Sequence, residues 1–181
     1  MNFSDPKDHH YFLLTGEEFI LKQDAVKHIL DKLGNKGFNE KVIISQDELD
    51  KTQEIISRNM GGSLFQENLI LHIKHPSGKF PEKIKTLLAD ENIFKSQNIA
   101  LIVESTIEKT PASGAWIKNF DAHGLIISCN KLKLIEEKMW LKRQLKFLPK
   151  DLLPIFGGSI FQNNEANLLG QKNEVALLEL L

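Results

Sequence analysis

Short apolar runs alternate with helical-period segments along the first two thirds of the chain. The runs are Tyr11–Leu14, Val42–Ser45, Leu69–Ile73, Ile99–Val103 and Gly124–Ser128. Between the first two, Phe19, Val26, Ile29, Leu30 and Leu33 recur at helical spacing, with Gly34 placed to end the helix. A second helix is predicted from Asp47 to about Met60, with Leu49, Ile55, Ile56 and Met60 on its apolar stripe and Ser45/Glu48 as a capping box. Pro81 opens a short helix carrying Ile84, Leu87 and Leu88, and Thr110-Pro111 opens another holding Ala115, Trp116 and Phe120.

Strands separated by helices in this way build βαβ units, hence a parallel sheet covered on both faces. Ile99–Val103 is continuously apolar and β-branched, the pattern of a strand buried on both sides, and is expected at the sheet centre. After Cys129 no strand run follows. Helices are predicted over Lys131–Lys146, Pro149 to about Phe156, and Asn164–Leu181. The predicted organisation is a five-stranded parallel α/β domain over residues 1–130 and a small all-helical domain over 131–181.

Composition narrows the class. At 181 residues and 41% apolar the chain can bury a sizeable core, which argues against disorder. One cysteine excludes a disulfide scaffold and fits a reducing cytosol. No apolar run approaches the roughly 18–20 residues that span a bilayer, so a cytoplasmic protein without membrane contact is expected. The net charge of −1 supplies no global attraction to nucleic acid.

Catalytic chemistry finds little purchase. The turn after the first strand, Thr15-Gly16-Glu17-Glu18, stands where an α/β nucleotide-binding protein places its phosphate loop. It has one glycine, no Gly-Lys-Ser/Thr, and two glutamates that would repel phosphate. Lys22 is the only candidate phosphate lysine nearby. The fourth strand ends in a single carboxylate, Glu104, rather than a magnesium-holding pair, and reads as a solvated strand end. Asp8-His9-His10 precedes the first strand, and His72 and His75 have no ligand-type cluster in reach, so these read as surface or loop histidines. No catalytic residue, metal site or cofactor is expected.

Two features suit interaction instead. In Met60-Gly61-Gly62-Ser63-Leu64-Phe65-Gln66, two glycines free the backbone just before two large apolar residues. Leu64 and Phe65 either tuck into the core or present an apolar plug to a partner, where a few large side chains carry most of the energy. The helix from Lys131 to Lys146 carries six cationic residues against Glu136 and Glu137. Lys142 and Arg143 could face DNA or an acidic partner, or belong to an ordinary solvated face.

Tyr11-Phe12-Leu13-Leu14-Thr15-Gly16-Glu17-Glu18, Gly62-Ser63-Leu64-Phe65 before an apolar strand, Trp116, and Glu165-Ala166-Asn167-Leu168-Leu169 follow one another in an order that resembles the delta subunit of bacterial DNA polymerase III. The resemblance runs from Tyr11 essentially to the end. It implies a P-loop/AAA+-like first domain without a working phosphate loop, then a helical lid domain. It also implies a non-catalytic clamp-loader subunit of a DNA-directed DNA polymerase (nucleotidyltransferase) holoenzyme, acting in DNA replication. Leu64 and Phe65 would enter a hydrophobic pocket on the sliding clamp (the beta subunit), with Ser63, Gln66 and Met60 flanking. The other partners implied are sister clamp-loader subunits and, through the complex, primed DNA. The family carries a third, C-terminal collar domain. This chain stops at Leu181, so it is expected to be a fragment that binds the clamp but assembles weakly with its sisters. The rival reading is a small nucleotide-dependent enzyme using Gly16 and Glu104.

Overall fold

The computed structural model describes residues 9–60, 68–76, 79–107 and 114–180. Five strands, β1 (Tyr11–Thr15), β2 (Glu40–Ile44), β3 (Leu69–Lys74), β4 (Ile99–Glu104) and β5 (Leu125–Ser128), form one sheet in the order β2-β3-β4-β1-β5. All four pairings are parallel, and β4 sits at the centre, as its unbroken apolar run predicts. Every residue of β1 is buried, and so are the first five of β4. A strand can be buried throughout only if helices cover both faces, because successive side chains point to opposite sides.

The two faces have different coats. Tyr11, Leu13, Leu71, Ile73, Leu101 and Val103 pack into one cluster with α3 (Glu82–Leu88), α4 (Ala115–His123) and a 3-10 helix at Glu91–Lys95. Phe80 stacks on Trp116 at 5.0 Å and Phe94 meets Phe120 edge-on at 5.1 Å, so aromatic pairs fill the space under these short helices. The opposite parity, including Phe12, Leu14, Ala100 and Ile102, is also buried, and α1 (Phe19–Asn35) packs against β4.

Several local expectations shift. The buried stripe of α1 is Ile20, Leu21, Ala25, Ile29 and Leu33, whereas Phe19 is exposed; the helical phase is displaced by about one residue at its start. The helix runs past Gly34. The left-handed residue that ends it is Gly37 at φ +87°, where the Phe38 N–H reaches back to the Leu33 carbonyl. Ser45 does not build the reciprocal capping box. Its hydroxyl donates to the carboxylates of Asp47 and Glu48, and a 3-10 helix (Gln46–Lys51) precedes α2 (Thr52–Met60) in place of one continuous helix. Thr110-Pro111 lie outside the described residues; α4 begins after Gly114.

By their contacts the described residues divide into two units, one up to residue 130 and the other from residue 131 onward. The second unit holds α5 (Leu134–Gln144), α6 (Leu153–Asn163) and α7 (Leu168–Leu178), with Trp140, Leu141, Leu145, Ile160, Leu168 and Val175 buried. A polar knot fixes it. The Glu137 carboxylate, 4% exposed, accepts from the backbone N–H of Ala166 at 2.8 Å and from the amide of fully buried Gln171, which also donates to the Asn164 carbonyl. Ala166 holds a left-handed φ of +59°, a conformation that this bond to Glu137 stabilises. The α6 helix runs seven residues beyond its predicted end, straight through Gly157-Gly158.

Candidate functional site

In an open α/β sheet, ligands bind beyond the carboxyl ends of the strands, where neighbouring connections leave in opposite directions. Here the chain leaves β1 toward β2 on one side and leaves β4 toward β5 on the other, which puts that place between β1 and β4. Gly16 follows β1 with φ +99°, a conformation that favours glycine. A Cβ there would stand 2.5 Å from the Cys129 carbonyl carbon and oxygen and from Asn130 Oδ1. The turn is therefore packed against the backbone that follows β5.

A phosphate loop works because several backbone N–H groups converge on an anion without other partners. In this turn two of the donors are already taken. The Gly16 N–H bonds the Ile107 carbonyl and the Glu18 N–H bonds the Cys129 carbonyl, each at 2.9 Å, while Cys129 N–H returns to the Thr15 carbonyl. The Glu18 side chain caps α1 by accepting from Ile20 N–H, so a carboxylate occupies the helix N-terminus.

Beside this closed turn lies a small charged cluster. Lys22 is buried, and desolvation pulls its ammonium below the ordinary lysine range against the attraction of Glu104, Cys129 and Glu17. Glu104 is not the solvated strand end expected: its side chain is 19% exposed and accepts from His72 Nε2 at 2.6 Å. Burial raises the Glu104 pKa, but the His72 bond and the charges of His72, Lys74 and Lys22 outweigh it, so the net shift is downward. His72 and His75 are likewise not surface histidines, each being 2% exposed. His75 packs edge-on against Phe80, and desolvation lowers its pKa, helped by the charge of Lys22. Burial pushes the Cys129 thiol up to about 12, which keeps it protonated and unreactive at neutral pH. Lys22, His72 and Glu104 are drawn inward and compensate one another's charge, while Lys74 at the end of β3 is exposed. Sequence reading missed the His72–Glu104 pair because its partners lie 32 residues apart; only the register of β3 on β4 joins them.

The other predicted residues fall elsewhere. Ser63, Leu64, Phe65 and Gln66 lie outside the described residues, as does the side chain of Met60. What is described is the pair of anchors for that segment: the end of α2 at Met60 and the start of β3 at Leu69, preceded by Asn68, whose amide donates to the Gly37 carbonyl at 3.4 Å. These anchors belong to the amino-terminal edge of the sheet, opposite the closed turn. Lys142 and Arg143 are separated by the helix: Lys142 is exposed beside an apolar groove, while Arg143 folds back to donate to the Met139 carbonyl. Among the described residues no group of three or more His, Cys, Asp or Glu could hold a metal ion, and no helix is long and apolar enough to cross a membrane.

A sequence profile described as "DNA polymerase III, delta subunit" matches residues 12–130. The chain belongs to that family. Among solved structures, the DNA clamp loader delta protein of Bacillus subtilis (YqeN) superposes with a TM-score of 0.66 over 94% of this chain, at 17% identity. The chain spans 52% of that protein's length. RIF2 of Saccharomyces cerevisiae aligns over 87% of this chain and 65% of its own at 17% identity, with a TM-score of 0.42, too low to indicate a shared fold. A comparison with curated protein sequences returns no match. The delta-type fold of five parallel strands with helices on both faces, followed by helices, is the fold class expected from the sequence.

Proposed function

We propose that this delta-family chain is a non-catalytic clamp-loader component that grips and opens the sliding clamp, with Leu64 and Phe65 as the apolar plug and Ser63, Gln66 and Met60 presenting it. The observation that carries the reading is the family match across residues 12–130, which includes the whole 60–68 segment. It is supported by the turn at Gly16, where the Gly16 and Glu18 N–H groups are already bonded to backbone carbonyls and so are not free to cradle a phosphate. Energy for loading then comes from sister subunits, and primed DNA is reached through their complex in the cytoplasm. Two desolvated large side chains are enough to anchor a modest interface.

Surface plasmon resonance against the cognate clamp tests this. Leu64→Ala and Phe65→Ala should each weaken binding by about 2 kcal/mol, roughly 30-fold. Unchanged affinity in variants that keep the parent circular dichroism would sink the assignment. The nucleotide-dependent enzyme makes the opposite prediction: MgATP at about 100 times its Kd would stabilise the fold by about 2.7 kcal/mol and raise Tm by roughly 5–10 °C. No rise is expected.

A further inference from the structure

The helical unit carries a groove that neither the polar knot nor the clamp reading uses. Between α5 and α6 a trough of about 770 Å3 is floored by Leu141, Leu145, Leu153 and Phe161. Its rim is cationic: Lys138, Lys142 and Lys150 line it with no acidic residue among them. Among the described residues none of the three forms an ion pair, and Lys138 rests with Nζ 4.8 Å above the Phe161 ring, which keeps an ammonium at the groove wall.

Gly157 and Gly158 shape the trough. Two glycines in the interior of α6 weaken it relative to alanine, and packing does not explain both. A Cβ on Gly157 would meet Leu145 at 3.4 Å, but one on Gly158 would meet nothing within 4 Å. The position is glycine beside open space, and a side chain there would fill the trough.

We propose that this groove is a docking site for an acidic amphipathic helix of a partner protein. The apolar floor selects a segment with large aliphatic or aromatic residues one turn apart, the usual anchors of a helix laid in a groove. Lys138 and Lys142, one turn apart on α5, select carboxylates at the same spacing on its flank. Each wall helix has 11 residues, roughly 16 Å, which matches about three turns of a docked helix. A nucleic-acid backbone would satisfy the lysines but leave the floor uncovered, so the peptide uses the site more completely. The site lies wholly within one unit and stands independently of the clamp reading.

Fluorescence anisotropy with the full chain provides the test. The probe is a labelled three-turn peptide with leucines one turn apart and glutamates flanking them. Expected are saturable binding, and losses of about tenfold or more when the glutamates become lysines or the leucines become serines. Gly158→Leu should abolish binding while holding or raising Tm, because it removes a helix-interior glycine and enters open space. Lys138→Glu with Lys142→Glu should reverse the preference between acidic and basic peptides. Absence of saturation up to about 1 mM, or equal affinity in a folded Gly158→Leu variant, overturns the proposal. So does a short DNA duplex that displaces the peptide and is itself lost in Gly158→Leu, since that makes the groove a nucleic-acid site.

Discussion

Truncating Glu137 to alanine should unfold the helical unit more easily, and the size of the effect follows from the partners it leaves. The carboxylate takes one bond from the Ala166 backbone and one from the Gln171 amide. Hydrogen bonds to a charged group contribute about 1.5–3 kcal/mol each, so the gross loss is about 3–6 kcal/mol. Relief of the carboxylate's own desolvation offsets part of this. Gln171 keeps its bond to the Asn164 carbonyl, so its amide nitrogen is not fully orphaned, although its oxygen already lacks a partner among the described residues. A net cost of about 2–3 kcal/mol results, equivalent to a fall in Tm of roughly 5–10 °C. Denaturant titration followed by far-UV circular dichroism measures it. Glu137→Gln retains an acceptor oxygen and should cost about half as much. The decisive variant is Glu137→Leu with Gln171→Leu. If the knot acts as a unit, removing both members should be far less damaging than the sum of the single changes. A Glu137→Ala effect within about 0.5 kcal/mol of the parent, or strict additivity in the double variant, would refute the argument.

Two further outcomes come from the carboxyl edge of the sheet. The Glu104 pKa is lower folded than its ordinary 4.5, so its contribution is present above that value and lost as pH falls through the folded value. Stability measured by urea titration should therefore drop more steeply below pH 4.5 in the parent than in Glu104→Gln; parallel profiles would show that the His72 pair stores no such energy. Cys129, fully buried with its thiol raised to about 12, should resist alkylation at pH 8 in the native protein and react fully in denaturant; rapid native labelling would contradict the packing of this strand end.

What the sequence disclosed, and what it withheld, separates by range. Each apolar run became a strand and the unbroken one became the centre, because burial on two faces leaves a mark within five consecutive residues. Features decided by distant partners left no such mark. Gly157-Gly158 looks like a helix end, yet α6 continues because Ile160 is buried beyond it. Tertiary packing there overrides a local propensity of only about 1 kcal/mol per glycine. Phe19 fits the apolar spacing read from the sequence, but it is the first residue of α1 and lies off the stripe that is buried, so it is left exposed.

The candidate nucleotide site shows the same division at the level of chemistry. The absence of phosphate-loop residue types could be read from composition: one glycine, two glutamates, no following lysine-hydroxyl pair. How the space is closed could not, because the closing groups are backbone carbonyls of Ile107 and Cys129, and a carbonyl is the same at every position in a sequence. This has a consequence for engineering. Placing a lysine at the start of α1 would not by itself create a phosphate site, because the Gly16 and Glu18 N–H groups would first have to give up their bonds to those carbonyls. The Cys129 carbonyl, on a fully buried residue, would then lose its donor at about 1–3 kcal/mol, and the Ile107 carbonyl would lose its own. The closure of the turn is set by the packing of three strand ends, so changing one side chain cannot undo it.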